Sequence, residues 1–269
     1  MTLNKQTVAF IGSGHIAEIV IANLLDNKKI IPTQLIISDP DDRRTDSLQQ
    51  KYNVQIAANN IDAVKRADIV FIAVLPQIAG HVIDELHQAA ILKKYLLITL
   101  AAGVSIKRYQ KIDEKLAVVR ALPNPPSRVG MGITALAYNE FVSSSNRLIV
   151  EEIFTSLGKY VIIKEELINA VTALSTPANA YLFFQSLIDA GVREGIDREN
   201  ATTIAYQTIV GAMEMWRSEN LSPSDLIAQA CTPGGISVEC IYSLEKNAFR
   251  AAIIEAIHKG TKKAATFSE

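Results

Sequence analysis

The sequence predicts an α/β protein, a Rossmann-like domain followed by an all-α domain. Three observations predict it. Apolar strand-like runs alternate with helical patterns through the first half. A glycine turn joins the first run to the first helix. Beyond about Lys164 the strand signal fades and helical patterns take over. The expected domains are therefore 1–164 and 165–269.

The first run, Thr7–Ile11, ends at Gly12, and a helical pattern begins near His15. Gly12, Gly14 and Ala17 fit the spacing G-x-G-x-x-G/A. The first glycine permits a tight turn, and the second lets the backbone approach a pyrophosphate. The small third residue lets helix and strand pack closely. N–H groups at the helix start then favour a bound anion. Further strand-like runs lie at Gln34–Ser38, Ile69–Val74, Tyr95–Leu100 and Ala117–Arg120. Helical patterns fall between them at Arg43–Tyr52, Ile61–Ala67, Gln77–Ala90 and Ile106–Lys111. Buried strands separated by helices imply a parallel sheet covered on both faces. Thr134–Tyr138 and Lys159–Ile163 read as further strands around a helix at Glu140–Leu157.

The second half reads as helices at Glu165–Gly191, Arg198–Glu219, Pro223–Ala230, Ser237–Lys246 and Ala248–Ala264. Ser222 before Pro223 has the form of a helix cap with proline at the first helical position. The stretch Ala201–Met213 is apolar on more than one face. A helix of that kind is buried. In so small a domain burial calls for a second subunit, so a homodimer or higher homo-oligomer is expected.

The chain has 269 residues, enough for one large or two modest domains with a sizeable core. Its net charge of −1, without a basic run, argues against nucleic acid or an anionic membrane as partner. Cys231 and Cys240 form neither a disulfide framework nor a zinc site, and two reduced, partly buried thiols are expected. No metal is expected. The N-terminus lacks a signal-peptide pattern, and the apolar runs are too short to span a bilayer. A cytoplasmic protein is expected.

Asp39 stands near the end of the second strand, where an acidic residue can accept the ribose hydroxyls of NAD. Arg43 and Arg44 follow closely and could instead bind the extra phosphate of NADP. Pro40 suggests a turn that carries Asp39 away from the ribose. The choice between NAD and NADP stays open. Loops at Ala73–Gln77, Ala101–Val104 and Leu122–Pro126 should also reach the cofactor, because ligands sit beyond the carboxyl ends of parallel strands. Asn124, between prolines, offers a donor and an acceptor on a stiff backbone. The candidate cofactor-binding positions are Gly12, Ser13, Gly14, His15, Ile16, Ser38, Asp39, Asn60, Ala73, Val74, Pro76, Ala101, Ala102, Gly103 and Asn124. His81, His87 and His258 read as solvated surface residues.

A second cluster, Cys231-Thr-Pro-Gly-Gly-Ile-Ser237, places two hydroxyls around a glycine pair just before a helix. Exposed backbone N–H groups there form a cradle for a carboxylate. Thr232, Gly234, Gly235 and Ser237, with Asn124, are the candidate substrate-binding residues.

The ordered set of motifs resembles the pyrroline-5-carboxylate reductase family along essentially the whole chain. It comprises the glycine turn at 12–17, Ala-Val-x-Pro-Gln at 73–77, Leu-Ala-Ala-Gly-Val at 100–104 and Val-Arg-Ala-Leu-Pro-Asn-x-Pro at 119–126. Ala-Leu-Ser at 173–175, Ala-Tyr at 180–181, Asp-Ala-Gly-Val-x-x-Gly at 189–195 and Thr-Pro-Gly-Gly-x-Ser at 232–237 complete it. The resemblance implies an NAD(P)H-binding domain, interlocked helical dimerisation domains, and a substrate carboxylate near Thr232–Ser237. It places the Ser237 hydroxyl near an imine nitrogen, the candidate catalytic contact. The implied reaction is NAD(P)H-dependent reduction of a cyclic imine carboxylate, 1-pyrroline-5-carboxylate, to proline.

The chain departs from the family pattern in three places. Ala-Leu-Ser-Gly-Ser-Gly-Pro-Ala-Tyr becomes Ala-Leu-Ser-Thr-Pro-Ala-Asn-Ala-Tyr at 173–181. Val-Lys-Pro becomes Val74-Leu75-Pro76, and Gly-Gly-Thr-Thr becomes Gly234-Gly235-Ile236-Ser237. Two other readings therefore stand beside the first: a paralogue reducing a different cyclic imine, and a non-catalytic NAD(P)-binding protein. A β-hydroxyacid dehydrogenase needs a lysine on the first long helix of the second domain, and Glu166–Leu187 contains none.

Overall fold

The computed structural model describes residues 2–90 and 93–266. It divides into two compact units, Met1–Ser175 with His258–Glu269, and Thr176–Ile257.

The first unit alternates β1 (Val8–Ile11), α1 (His15–Asp26), β2 (Leu35–Ser38), α2 (Asp42–Tyr52), β3 (Gln55–Ile56) and α3 (Asn60–Arg66). It continues with β4 (Ile69–Ile72), α4 (Pro76–Gln88), β5 (Leu96–Thr99), α5 (Ile106–Tyr109) and β6 (Ala117–Pro123). β7 (Gly132–Tyr138), α6 (Ser144–Thr155), β8 (Gly158–Ile162) and α7 (Ile168–Leu174) follow. The strands form one eight-stranded sheet in the order β3-β2-β1-β4-β5-β6-β7-β8. Strand direction is common from β3 to β6.

Every residue of β1, β2, β4 and β5 is buried. That follows from a sheet with two apolar layers on it. Val8 and Phe10 face one core, while Ala9 and Ile11 face the other, as the period of two demands. Ile69 and Phe71 of β4 share the first core, and Val70 and Ile72 the second. Phe10 stacks on its register partner Phe71 with ring centroids 4.6 Å apart.

Four features differ from the sequence expectation. β3 is two residues long, too short to show an alternation. β6 runs on to Pro123 and pairs with β7 antiparallel, so the sheet is mixed. The connection between them, residues 124–131, is too short for a parallel crossover, which needs a dozen or more residues. α6 starts at Ser144 because the Ser143 side chain caps it, accepting from the Asn146 N–H. The expected long helix 165–191 breaks into a 3-10 turn (Glu165–Leu167), α7 and α8 (Pro177–Arg193). Pro177 has no N–H to continue α7, and it holds Thr176 in the extended region.

The second unit consists of α8, α9 (Arg198–Ser218), α10 (Pro223–Ala230), α11 (Ile236–Lys246) and the start of α12 (Phe249–Ala265). Its buried apolar cluster is Ile188, Ala201 and Ala205, with Phe184 and Leu187 packed against it. Gly191 permits this contact, since a Cβ there would lie 3.1 Å from the Ala201 Cβ. Tyr181, Leu182, Ile204, Tyr206, Met213, Tyr242 and Ile254 are exposed in the single chain. So much open apolar surface on so small a core fits the expected association with a second copy. No helix among the described residues is long and apolar enough to cross a membrane.

Asn139 anchors the β6–β7 pair. Its Oδ1 accepts from the Val118 N–H at 3.1 Å and its Nδ2 donates to the Leu116 carbonyl at 2.8 Å, all three buried. Asn139→Ala leaves both backbone groups without a partner. It is expected to lower the unfolding free energy of the protein by about 2 kcal/mol or more, measured by urea denaturation.

Candidate coenzyme and substrate sites

The strand order reverses between β1 and β4, the place where open α/β sheets receive ligands. Gly12 follows β1 there and Ala73 follows β4. Gly12 has φ +94°, and a Cβ on it would stand 2.8 Å from the Ala73 carbonyl carbon and oxygen. No residue with a side chain fits. The Gly12 N–H donates to the Ser38 carbonyl at 2.8 Å, tying the turn to the end of β2.

Gly14 is different. Its φ of −73° suits any residue, and a Cβ would meet nothing within 4 Å. The protein itself therefore makes no demand for glycine at this position. A ligand lying against the backbone would make one. Gly14 is the N-cap of α1 and provides no side-chain cap, so N–H groups at the helix start are left for an anion. Ser13 Oγ is buried beside them with no hydrogen-bond partner. An open cradle, free helix N–H groups and an orphaned hydroxyl fit a dinucleotide's diphosphate. His15 is exposed at this helix start and Ile16 is half-buried.

Asp39 is held against the turn rather than carried off by Pro40. Its Oδ2 accepts from the Ser13 N–H at 2.8 Å and its Oδ1 from the Asp41 N–H at 3.0 Å. Arg43 does not reach toward the turn. Its Nε and Nη2 grip Asp41 at 3.0 and 3.2 Å, and Arg44 Nε lies 3.7 Å from the same carboxylate. The guanidinium of Arg43 holds the Asp41 carboxyl below its ordinary range. Ser38 Oγ donates to Asn60 Oδ1 at 2.8 Å, and Asn60 Nδ2 donates to Glu85 at 2.7 Å.

The other two loops arrive at the same edge of the sheet. Val74 is half-buried beside Gly12, and Pro76 is the first residue of α4. Ala101 and Gly103 are buried, Ala102 is half-buried, and Gly103 has φ +75°. The Ala101 N–H donates to Thr99 Oγ1, which in turn donates to Tyr109 OH at 2.6 Å. Burial pushes the Tyr109 hydroxyl up to about 12, so it stays protonated.

Asn124 is already engaged. Its Oδ1 accepts from the Ile133 N–H at 2.8 Å, and its Nδ2 donates to the Ser175 carbonyl at 2.9 Å. One N–H and one lone pair remain on the amide for a ligand. The side chain thus also fixes the loop after β6 and the end of α7.

In the second unit, Thr232-Pro-Gly-Gly235 is a tight turn. The Gly235 N–H donates to the Thr232 carbonyl at 2.9 Å, and Gly234 has φ +71°. Proline at the second position and a positive-φ glycine at the third make a type II turn. A Cβ on Gly235 would lie 2.5 Å from Thr232 Oγ1. Gly235 caps α11 without a side-chain hydrogen bond, so the N–H groups at this helix start are also left for an anion. Ser237 is the second residue of α11 and half-buried. Cys231 is half-buried, but Cys240 is exposed in the single chain, unlike the expectation for it. His81, His87 and His258 are exposed, as expected.

The sequence reading missed Asp41 as the partner of both arginines. It also missed Glu165, whose Oε1 accepts from the Ile106 N–H at 2.7 Å and from buried Arg120 at 3.3 Å. The helix-capping place of Asp41 before Asp42–Arg43 was a signal for the first. Glu165 had none, because its partners are 45 and 59 residues away. Among the described residues no group of three His, Cys, Asp or Glu could hold a metal.

Residues 165–267 match the pyrroline-5-carboxylate reductase dimerisation family, and residues 7–103 match the family described as NADP oxidoreductase coenzyme F420-dependent. The chain is 34% identical to a pyrroline-5-carboxylate reductase of Synechocystis sp., over 95% of this chain and 96% of the relative. It is 29% identical to the Escherichia coli enzyme of that name, over 98% and 99%. The structure is similar to that of Plasmodium falciparum pyrroline carboxylate reductase with NADP bound. The TM-score is 0.88 at 29% identity, covering 99% of this chain and 100% of that one.

Gly12→Ala is expected to destabilise the fold by about 1–3 kcal/mol, through backbone strain and the clash at Ala73. Gly14→Ala is expected to leave the melting temperature unchanged and to weaken NADP(H) binding. Thermal melting and calorimetric titration of both variants check the contrast.

Proposed function

The chain belongs to the pyrroline-5-carboxylate reductase family, and on that premise we propose that it reduces 1-pyrroline-5-carboxylate to proline with NAD(P)H. One observation carries the reading. A single chain pairs an open glycine turn at the sheet's switch point with an uncapped helix N-terminus bearing Ser237. The first suits a dinucleotide and the second a carboxylate. NADP is a coenzyme of this chain, as it is a ligand of the Plasmodium relative.

The bound coenzyme supplies a hydride to the imine carbon, and the imine nitrogen ends with a proton. The protein's share is placement, which can contribute roughly 7–11 kcal/mol to such a step. N–H groups at the start of α1 and the Gly12–Gly14 turn hold the diphosphate. Asn124 and the small residues Ala101, Ala102 and Gly103 border the nicotinamide end. Thr232, Gly234 and Gly235 shape the turn that presents the α11 N–H groups to the substrate carboxylate. The Ser237 hydroxyl hydrogen-bonds the ring nitrogen. Residues 1–164 serve the coenzyme, and 165–269 serve the substrate and a second copy of the chain. The working form is a cytoplasmic homodimer or larger homo-oligomer.

Ile236, 85% exposed beside Ser237, favours a second reading in which a different cyclic imine is taken. A branched apolar side chain there suits a more apolar ring than the small polar residue usual in the family. A panel of five- and six-membered cyclic imines, assayed by NADH and NADPH oxidation, separates the two. The expected result is fastest turnover with pyrroline-5-carboxylate; coenzyme binding without oxidation on any imine would sink the reductase reading. Ser237→Ala is expected to lower kcat about tenfold, the loss of one hydrogen bond, while leaving coenzyme affinity unchanged. Steady-state kinetics and titration measure the two separately.

A further inference from the structure

We infer that Asp39 makes this chain favour NADH over NADPH, by presenting a fixed carboxylate where the adenosine ribose docks. The inference rests on the coenzyme reading above and takes it one step further.

Three observations carry it. The first is position. Asp39 directly follows β2, which pairs with β1, and the Ser13 N–H of the glycine turn fixes its Oδ2 at 2.8 Å. A dinucleotide whose diphosphate lies on that turn brings its adenosine ribose to this strand end. The second is capacity. Oδ1 and Oδ2 each accept one backbone N–H and each retain a second lone pair. Two free lone pairs match the two hydroxyl donors of an unmodified ribose. A 2′-phosphate removes one donor and adds a group that only accepts and carries about −1.5 to −2 charges.

The third is the state of the nearby cations. The turn Asp39-Pro-Asp-Asp-Arg-Arg44 has three carboxylates against two guanidiniums. Arg43 is bound bidentately by Asp41, and Arg44 lies against the same carboxylate. Neither is paired with Asp39. A phosphate must therefore approach an uncompensated carboxylate or detach Arg43 from its partner. A phosphate of about −1.5 to −2 charges at about 4 Å from a carboxylate is repelled by roughly 1.5–2 kcal/mol in water, at about 1 kcal/mol per pair of unit charges. That corresponds to a preference of about tenfold upward.

Calorimetric titration of the full-length protein with NADH and with NADPH reads the preference directly. The Kd for NADPH is expected to exceed that for NADH by about tenfold or more at low salt, with the gap narrowing as salt rises. Asp39→Asn keeps an acceptor for the Ser13 N–H and removes the charge. It is expected to reduce the Kd ratio about tenfold. Asp41→Asn leaves Asp39 in place and loosens both guanidiniums; it is expected to tighten NADPH alone. Equal or tighter NADPH binding by the unaltered protein overturns the inference, and so does a ratio that neither substitution moves. None of these readouts needs an imine. NADH preference without turnover of pyrroline-5-carboxylate would sink the proposed reaction and leave the role of Asp39 standing. Binding of neither coenzyme would overturn both.

Discussion

The close approach of Gly12 to the end of β4 is the constraint on which the coenzyme site depends. With a Cβ position 2.8 Å from the Ala73 main chain, the turn after β1 sits against the neighbouring strand with no room between them. That contact brings the start of α1 to the switch point. Asp39 and the Ser38 carbonyl then hold the turn from the other side, through the Ser13 and Gly12 N–H groups. The backbone of the turn is thus held from both sides by the protein itself. At Gly14, by contrast, a Cβ would meet no protein atom within 4 Å, so the fold demands glycine at the first position and not at the second.

Much of this was legible in the residues. β1, its turn and α1 follow from an apolar run, two glycines and a periodic helix. The buried strands β2, β4 and β5 follow from short β-branched runs. What escaped reading depends on long-range partners. The antiparallel pairing of β7 follows from the length of its connection to β6, not from the composition of either strand. The break between α7 and α8 was present as Pro177, but the apolar pattern on both sides concealed it. Asn124 was legible as an amide on a stiff backbone because its sequence neighbours are prolines, but not as a tie between segments. Its engagement with Ile133 and Ser175 depends on two segments that only the fold brings near.

Charge tells a similar story at the end of β2. Read as a string, Asp39 and two arginines pull toward opposite coenzymes. In three dimensions Asp41 separates them, because a helix-capping carboxylate lies within reach of both guanidiniums. The residues were visible from the start. Their pairing was not, since local hydrogen bonding decides which acid meets which base.

The second unit has a different physical character. Its buried apolar side chains are those of Ile188, Ala201 and Ala205, while whole helix faces lie open. A core of that size does not offset the chain entropy of 82 ordered residues, Thr176–Ile257. Whatever covers the open faces is therefore a participant in the folding equilibrium rather than a later addition. By mass action, the stability of this unit is set by the abundance of its partner as much as by its own sequence. Dilution acts on it as a denaturant does.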